Sequence, residues 1–239
     1  MIPAIYQNGL NTLGERLAKE TLVKFHHQCK SSLKYAIHDG LISKNFAELA
    51  KVSSTSDTGM DEKKKYLELD EYKSLLRKLR LLTKHKRYLF LYVLAVSGLR
   101  YAEGKALNKN TIDFENNVFI VKNAWNDQKK SIGQLKNIHS ERRVPFNNTK
   151  KRMLQYYFRM HLEDKKFFTT LQNRDMNNLL KSLVGRDVHL HTLRHTYVSY
   201  LASEKVDVNT IARLVGHKDA TTTLKKYTHL FFGISEQIF

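Results

Sequence analysis

Several signatures that would place a protein in a familiar class are missing from this sequence. There is a single cysteine, Cys29, which permits neither an internal disulfide nor a cysteine-rich zinc cluster. Its helically spaced neighbours Leu22, His26, Leu33 and Ile37 make it read as a small, buried, apolar side chain. No apolar run is long enough to span a bilayer. The opening M-I-P-A-I-Y-Q-N-G has neither the charged start nor the apolar core of a secretory signal. The acidic residues are scattered, with no compact Asp/Glu group of the kind that holds two metal ions. Internal repeats are absent as well. These absences predict a protein of the reducing cytoplasm that needs no membrane, metal or other cofactor.

What the chain does have is positive charge. Its 239 residues carry 41 Lys and Arg against 23 Asp and Glu, a net +18, which favours a polyanionic partner. The excess is uneven: residues 1–58 hold 7 basic and 5 acidic side chains, leaving 34 and 18 for the remainder. The polyanion therefore belongs mainly to the larger, C-terminal part. A hydrophobic content of 41% suffices for a real core and excludes a disordered tail.

Periodicity predicts a mainly α-helical chain with a small antiparallel β-sheet. Thr12 to Asp39 reads as helix with a break between Ala18 and Thr21, stopped by Gly40, and Asn45 is expected to cap a short helix through Ala50. The stretch S-S-T-S-D-T-G from Ser53 has neither period nor bulk and reads as the start of a linker over residues 53–65. Beyond it, leucines mark a helix over Leu69 to Leu82, and the almost wholly apolar Leu89 to Val96 must be a buried helix that ends at Gly98. Asn116-Asn117 is a turn, Val118 to Val121 a strand, and Ser131 to Leu135 and Arg142 to Phe146 its expected partners. Helices follow at Thr149 to His161 and Asp175 to Val184.

The chemistry gathers between His191 and His229. Leu193, Tyr197, Val198 and Leu201 give one apolar helical face, and His191 and Arg194, three apart, project to the same side. Asp207 caps a second helix, filled by Val208, Ile211, Leu214 and Val215 and stopped by Gly216, so that His217 stands at a corner. Tyr227 follows ten residues later, after Lys225-Lys226, in a setting too polar for a core tyrosine. Each side chain alone has an ordinary packing or hydrogen-bonding explanation; an imidazole pair, a guanidinium and a phenol in one segment do not.

The pattern H-x-x-R-H, then G-H, then Tyr ten residues on resembles the second conserved box of the tyrosine recombinases, the phage-type integrase family. The upstream S-G-L-R-Y-A-E, with Arg100 and Glu103, resembles that family's T-G-L-R-x-x-E. The stretch L-K-N-I-H-S-E-R-R-V-P-F resembles the lysine-bearing hairpin K-x-x-x-S-x-R-x-x-P of its mobile-element branch. Ser31 to Leu49, with Y-A-I-H-D-G-L-I-S-K-N, resembles the end of the helical core-binding domain, whose beginning the resemblance implies is absent. Two departures are modest: Ala102 stands where Gly is frequent, and Glu68 where a Ser or Thr cap is usual.

The resemblance implies the tyrosine recombinase catalytic-domain fold over residues 66–239, preceded by a partial core-binding domain over 1–52. It also implies a site-specific recombinase, the integrase of a phage or conjugative element. In it Arg100 and Arg194 would neutralise the phosphate, His217 add a donor, Tyr227 act as nucleophile, His191 as base and Lys136 as acid, with Glu103 bracing the loop. Lys129 and Lys130 remain alternatives to Lys136; otherwise they, with Arg142, Arg143, Lys225 and Lys226, would contact DNA. The implied partners are double-stranded attachment-site DNA, a homotetramer on it, and DNA-bending and excision accessory proteins. Rival readings are a truncated, non-catalytic DNA-binding remnant, and a chromosome-dimer resolvase or type IB topoisomerase with the same chemistry.

Overall fold

A computed structural model describes residues 2–56, 66–135, 141–161, 167–217 and 220–221. The chain divides into two compact units, Met1–Asp61 and Glu62–Phe239. Among the described residues no helix is long and apolar enough to cross a membrane.

The first unit is built on helices α1 (Ile2–Gly14) and α2 (Lys19–His38). Pro3 is compatible with α1 because it falls in the first turn, where its missing N–H has no intrahelical acceptor. The corner between the helices is sealed by residues 53–56. Thr55 and Ser56 donate backbone N–H groups to the Gly14 carbonyl at 3.1 and 3.3 Å, and Ser54 Oγ donates to the same oxygen and to that of Leu17. A Cβ at position 14 would collide with the Ser53 carbonyl, so this approach requires glycine. Two expectations fail here. Cys29 is only half-buried, and the enclosed polar residue is His26, whose Nδ1 lies 2.9 Å from Tyr6 Oη. Asn45 starts a turn rather than a helix: its Oδ1 accepts from Ala47 N–H at 3.1 Å, and its amide reaches the Lys30 carbonyl.

The second unit surrounds helix α4 (Lys86–Ser97), in which every residue from Leu89 to Ser97 is buried. A helix apolar on all sides must be covered on all sides. Packed against it are α3 (Leu69–Leu81), the short α5 (Tyr101–Lys105), α7 (Asn173–Val184) and α8 (Leu190–Ser203). Glu71 joins two of these regions: it accepts from the Glu68 N–H at the start of α3 and takes both Nε and Nη2 of Arg186, beyond α7, at 2.8 and 2.9 Å. Helix α6 (Asn148–Met160) is capped by the Asn147 side chain, and α9 (Val208–Val215) by that of Asp207. Tyr197 and Val198 of α8 pack with Ile211 and Val215 of α9 in a small cluster of their own.

The β structure forms two antiparallel groups. Strands β1 (Ile112–Asp113), β2 (Val118–Val121) and β5 (Arg142–Pro145) make one sheet in the order β1-β2-β5. Strands β3 (Asn123–Asn126) and β4 (Ser131–Gln134) form a separate hairpin. The residues from Ser131 thus pair with β3, Trp125 opposite Ile132, and not with β2 as the sequence suggested. In the three-stranded sheet Phe119 faces Val144 and Val121 faces Arg142, which puts Arg142 on the inner face. The tail residues Leu230, Phe231, Phe232, Ile234 and Ile238 lie outside the described residues.

Candidate active site

Two helix-stopping glycines assemble the site. Gly98 ends α4 with φ +62° and Gly216 ends α9 with φ +69°, a left-handed conformation that costs glycine nothing. Side chains would also have no room: a Cβ at Gly98 would lie 2.5 Å from the Tyr197 ring, and one at Gly216 2.7 Å from a guanidinium nitrogen of Arg142. Each turn frees a carbonyl oxygen, and each takes an arginine from the other motif. Arg194, buried on α8, donates Nη1–H to the Gly98 carbonyl at 2.8 Å. Arg100, two residues beyond Gly98, donates Nη2–H to the Gly216 carbonyl at 3.3 Å, one residue before His217. Residues far apart in sequence are thereby locked around one corner.

Glu103 holds that corner. Its carboxylate is 2% exposed and accepts four hydrogen bonds: from Arg100 N–H and Nη1 at 2.8 and 2.9 Å, and from Arg142 Nη1 and Nη2 at 3.2 and 2.8 Å. Burial pushes its pKa up, but the hydrogen bonds and charge of Arg142, joined by those of Arg100, overcome this and hold it below the usual glutamate range. The carboxylate is therefore ionised, and it orients two guanidinium planes at once. Arg142 is gripped a third time, through Nε to the Leu214 carbonyl at 2.7 Å on α9.

Arg142 was expected to touch DNA, and its position corrects that expectation. With a side chain only 4% exposed and aimed at Glu103, it is part of the framework that fixes Arg100. Arg143 has the opposite setting, 65% exposed and 3.6 Å from Asp113. Lys129 and Lys130 are exposed at the β3–β4 turn. His191 is exposed on α8 one turn before Arg194, its ring 4.6 Å from that of His195 in an edge-to-face arrangement. His217 is partly exposed just after Gly216, its backbone N–H on the Ala212 carbonyl at 3.0 Å. Lys136, Lys225, Lys226 and Tyr227 lie outside the described residues.

Arg100, Ala102 and Glu103 form one wall of an open cleft of about 620 Å³, and the β3–β4 hairpin, from Ala124 to Leu135, forms the other. Sequence reasoning missed what holds that second wall: Lys105, Asp127 and Trp125. A lysine one turn after Arg100, inside a helix facing an apolar core, was the available signal. The site as a whole offers exposed guanidinium, imidazole at two positions and a fixed carboxylate brace, a set suited to binding a phosphodiester and stabilising charge that builds on its oxygens.

Comparison with known proteins supplies the context. The model of the phage integrase family matches residues 65–233. The chain is 29% identical over 166 residues to the integrase of Staphylococcus phage L54a, a match covering 58% of this chain and 46% of that protein. It is 35% identical over 149 residues to the tyrosine recombinase XerA of Saccharolobus solfataricus, covering 61% and 46%. The chain thus spans about half the length of these curated relatives. Among solved structures, it superposes on the Tn1549 transposon integrase in complex with transposon right end DNA with a TM-score of 0.72, at 22% identity, over 93% of this chain and 79% of that one. For the XerH recombinase bound to difH substrate before cleavage the TM-score is 0.62, at 13% identity, over 99% and 71%. At such identities the likeness is one of fold: a mainly helical domain with a small antiparallel sheet.

Proposed function

This chain belongs to the phage integrase family, and on that premise we propose that it is a site-specific DNA recombinase. In this reading it cleaves and rejoins DNA through a 3′-phosphotyrosyl intermediate, as the integrase of a phage or conjugative element. The observation that carries the reading is the junction of the two motifs. Arg100 is fixed by Glu103 and reaches the Gly216 carbonyl beside His217, while Arg194 is tied to Gly98, beside Arg100.

A phosphodiester resists attack because its anionic oxygens repel nucleophiles and its alkoxide leaves poorly. Arg100 and Arg194 address the first fault by neutralising the non-bridging oxygens and holding the phosphate in line, and His217 adds a donor. Tyr227 Oη then attacks phosphorus, passing its proton to His191. An unperturbed phenol has a pKa of about 10, so at neutral pH it needs such a base. The P–O5′ bond breaks as the P–O(Tyr) bond forms, and Lys136 gives a proton to the departing 5′ oxygen. Bond energy is kept in the phosphotyrosyl link, so rejoining by a 5′ hydroxyl needs no ATP.

The relatives support a DNA partner: the Tn1549 integrase structure is a complex with transposon right end DNA, and the XerH site-specific recombinase is bound to its difH substrate. The net charge of +18, concentrated beyond residue 58, supports it independently. A homotetramer on attachment-site DNA, helped by DNA-bending and excision proteins, and a core-binding role for residues 1–52 complete the proposal. It is tested with a nicked duplex carrying the element's own ends, on which cleavage traps the covalent adduct. The wild-type chain is expected to form a detergent-resistant adduct, and Tyr227→Phe to bind the duplex equally and form none. Binding without any wild-type adduct would favour the non-catalytic remnant.

A further inference from the structure

Lys105, the last residue of α5, is 1% exposed, and its charge is fully accounted for. Its Nζ donates to Asp127 Oδ1 at 2.8 Å and to Tyr101 Oη at 3.1 Å, and lies 5.3 and 5.1 Å from the ring centres of Tyr101 and Trp125. Asp127 also accepts from Trp125 Nε1–H at 3.0 Å, and Tyr101 Oη–H donates to the Leu171 carbonyl at 2.8 Å. Enclosing an ammonium among aromatic rings carries a desolvation cost that a leucine would not. What the ammonium supplies is direction, since it ties one helix to defined points on another element.

The element it ties down is the hairpin wall of the cleft. Among the described residues β3 and β4 pair with each other and with no other strand, so no ladder fixes their distance from the rest of the unit. Trp125 lies on β3, and Asp127 opens the turn that bears Lys129 and Lys130. On the other side, Lys105 sits on the five-residue helix that begins directly after Arg100 and carries Glu103. Lys105 itself neither lines the cleft nor reaches solvent; it acts from behind, through the lining residues Asp127 and Trp125.

We propose that Lys105 is a positioning residue for strand cleavage: through Asp127 and Trp125 it sets the hairpin wall at a fixed distance from Arg100, so that groups supplied by the hairpin meet the phosphate the arginines hold. The proposal rests on the recombinase reading above. The hairpin's contribution in that reading is proton donation to the leaving oxygen, and a donor displaced by about 1 Å can cost on the order of 100-fold in rate.

The test compares Lys105→Met, Lys105→Arg and Asp127→Asn on two nicked duplexes, one ordinary and one with sulfur in place of the 5′ bridging oxygen, a leaving group that needs no proton. Thermal melting and DNA affinity are measured alongside. Lys105→Met and Asp127→Asn are expected to bind DNA within about threefold of wild type, to cleave the ordinary duplex roughly 10- to 100-fold more slowly, and to recover on the sulfur duplex. Lys105→Arg is expected to lie between Lys105→Met and wild type, and Arg100→Lys to stay slow on both. Asp127 is half-exposed, so Asp127→Asn decides the matter should Lys105→Met fail to fold. Normal cleavage by Asp127→Asn, or equal slowing on both duplexes, overturns the positioning role. Lys136→Ala separates this from the parent reading. If sulfur rescues Lys136→Ala but not the Lys105 and Asp127 variants, positioning alone falls. If it rescues those two but not Lys136→Ala, positioning stands and the donor moves to Lys129 or Lys130. Rescue of none overturns both.

Discussion

Arg142 and Arg143 are neighbours on β5 and live in opposite environments. Strand alternation turns Arg142 inward beside Val121 and Val144, where Glu103 and the Leu214 carbonyl take its donors; Arg143 turns outward, 65% exposed. The inner face uses positive charge to build geometry, and the outer face leaves it open to solvent, where the proposed function has it meet DNA. A count of basic residues cannot separate these uses, but one step along a strand does. The same division runs through the unit: Arg194 and Lys105 are enclosed and bonded, whereas Lys129 and Lys130 stand at an open turn.

The comparison is sharpest in stability. Removing one partner of a buried, hydrogen-bonded ion pair leaves the other charge stranded, so Arg142→Ala is expected to cost about 3–5 kcal/mol in chemical denaturation. Arg143→Ala is expected to stay within about 0.5 kcal/mol. Equal losses would erase the distinction. Glu103 adds a pH signature. Its carboxyl is held below the usual glutamate range, since Arg142 and Arg100 outweigh the opposing effect of burial. Its contribution is thus complete above the ordinary glutamate value and fades as pH falls through its own lower value. The stability gap between wild type and Glu103→Gln should therefore be constant at neutral pH and close in acid; a gap that widens in acid would contradict the assignment.

Activity is the next largest effect. Arg100→Lys keeps the charge and loses the planar fork that Glu103 orients and that, in the proposed function, holds the phosphate, so adduct formation is expected to slow by about 100-fold with the fold intact. Near-normal cleavage would remove Arg100 from the phosphate. The smallest effect belongs to the outer face. Alanine at Arg143, Lys129 or Lys130 should each lower the slope of log affinity against log salt by about 0.9 per lost phosphate contact, with melting unchanged. A slope unaltered in the triple variant would move the DNA elsewhere.

Much of this was legible in the sequence because it rests on short-range chemistry. Gly98 and Gly216 announced left-handed stops, Asp207 a cap, and the unbroken apolar run of α4 its burial. The features that escaped depend on partners far along the chain or on weak patterns. Helix α1 begins ten residues before the expected Thr12 because its first turns bury little: Ile5 is mostly exposed and only Leu10 is enclosed. Strand β4 is exposed along its whole length, so no alternation specified its partner, and the turn after Asn126 decided the pairing. Glu103 was legible as a brace one turn from Arg100, but its second arginine, 39 residues on, was not. For Lys105 the sequence offers only a lysine in an apolar setting; its partners Asp127 and Trp125 reach it only through the fold.

The central claim is that these arginines serve a tyrosine that takes the DNA strand onto itself. The most direct measurement is mass spectrometry of the protein trapped on a nicked duplex, digested with protease and nuclease. The account predicts a single modified peptide, with a nucleotide joined through its 3′ phosphate to Tyr227 and a 5′ hydroxyl on the released strand. A phosphotyrosyl link on Tyr197 or Tyr200, a 5′ linkage, or no modified peptide from a chain that binds the duplex tightly would contradict it.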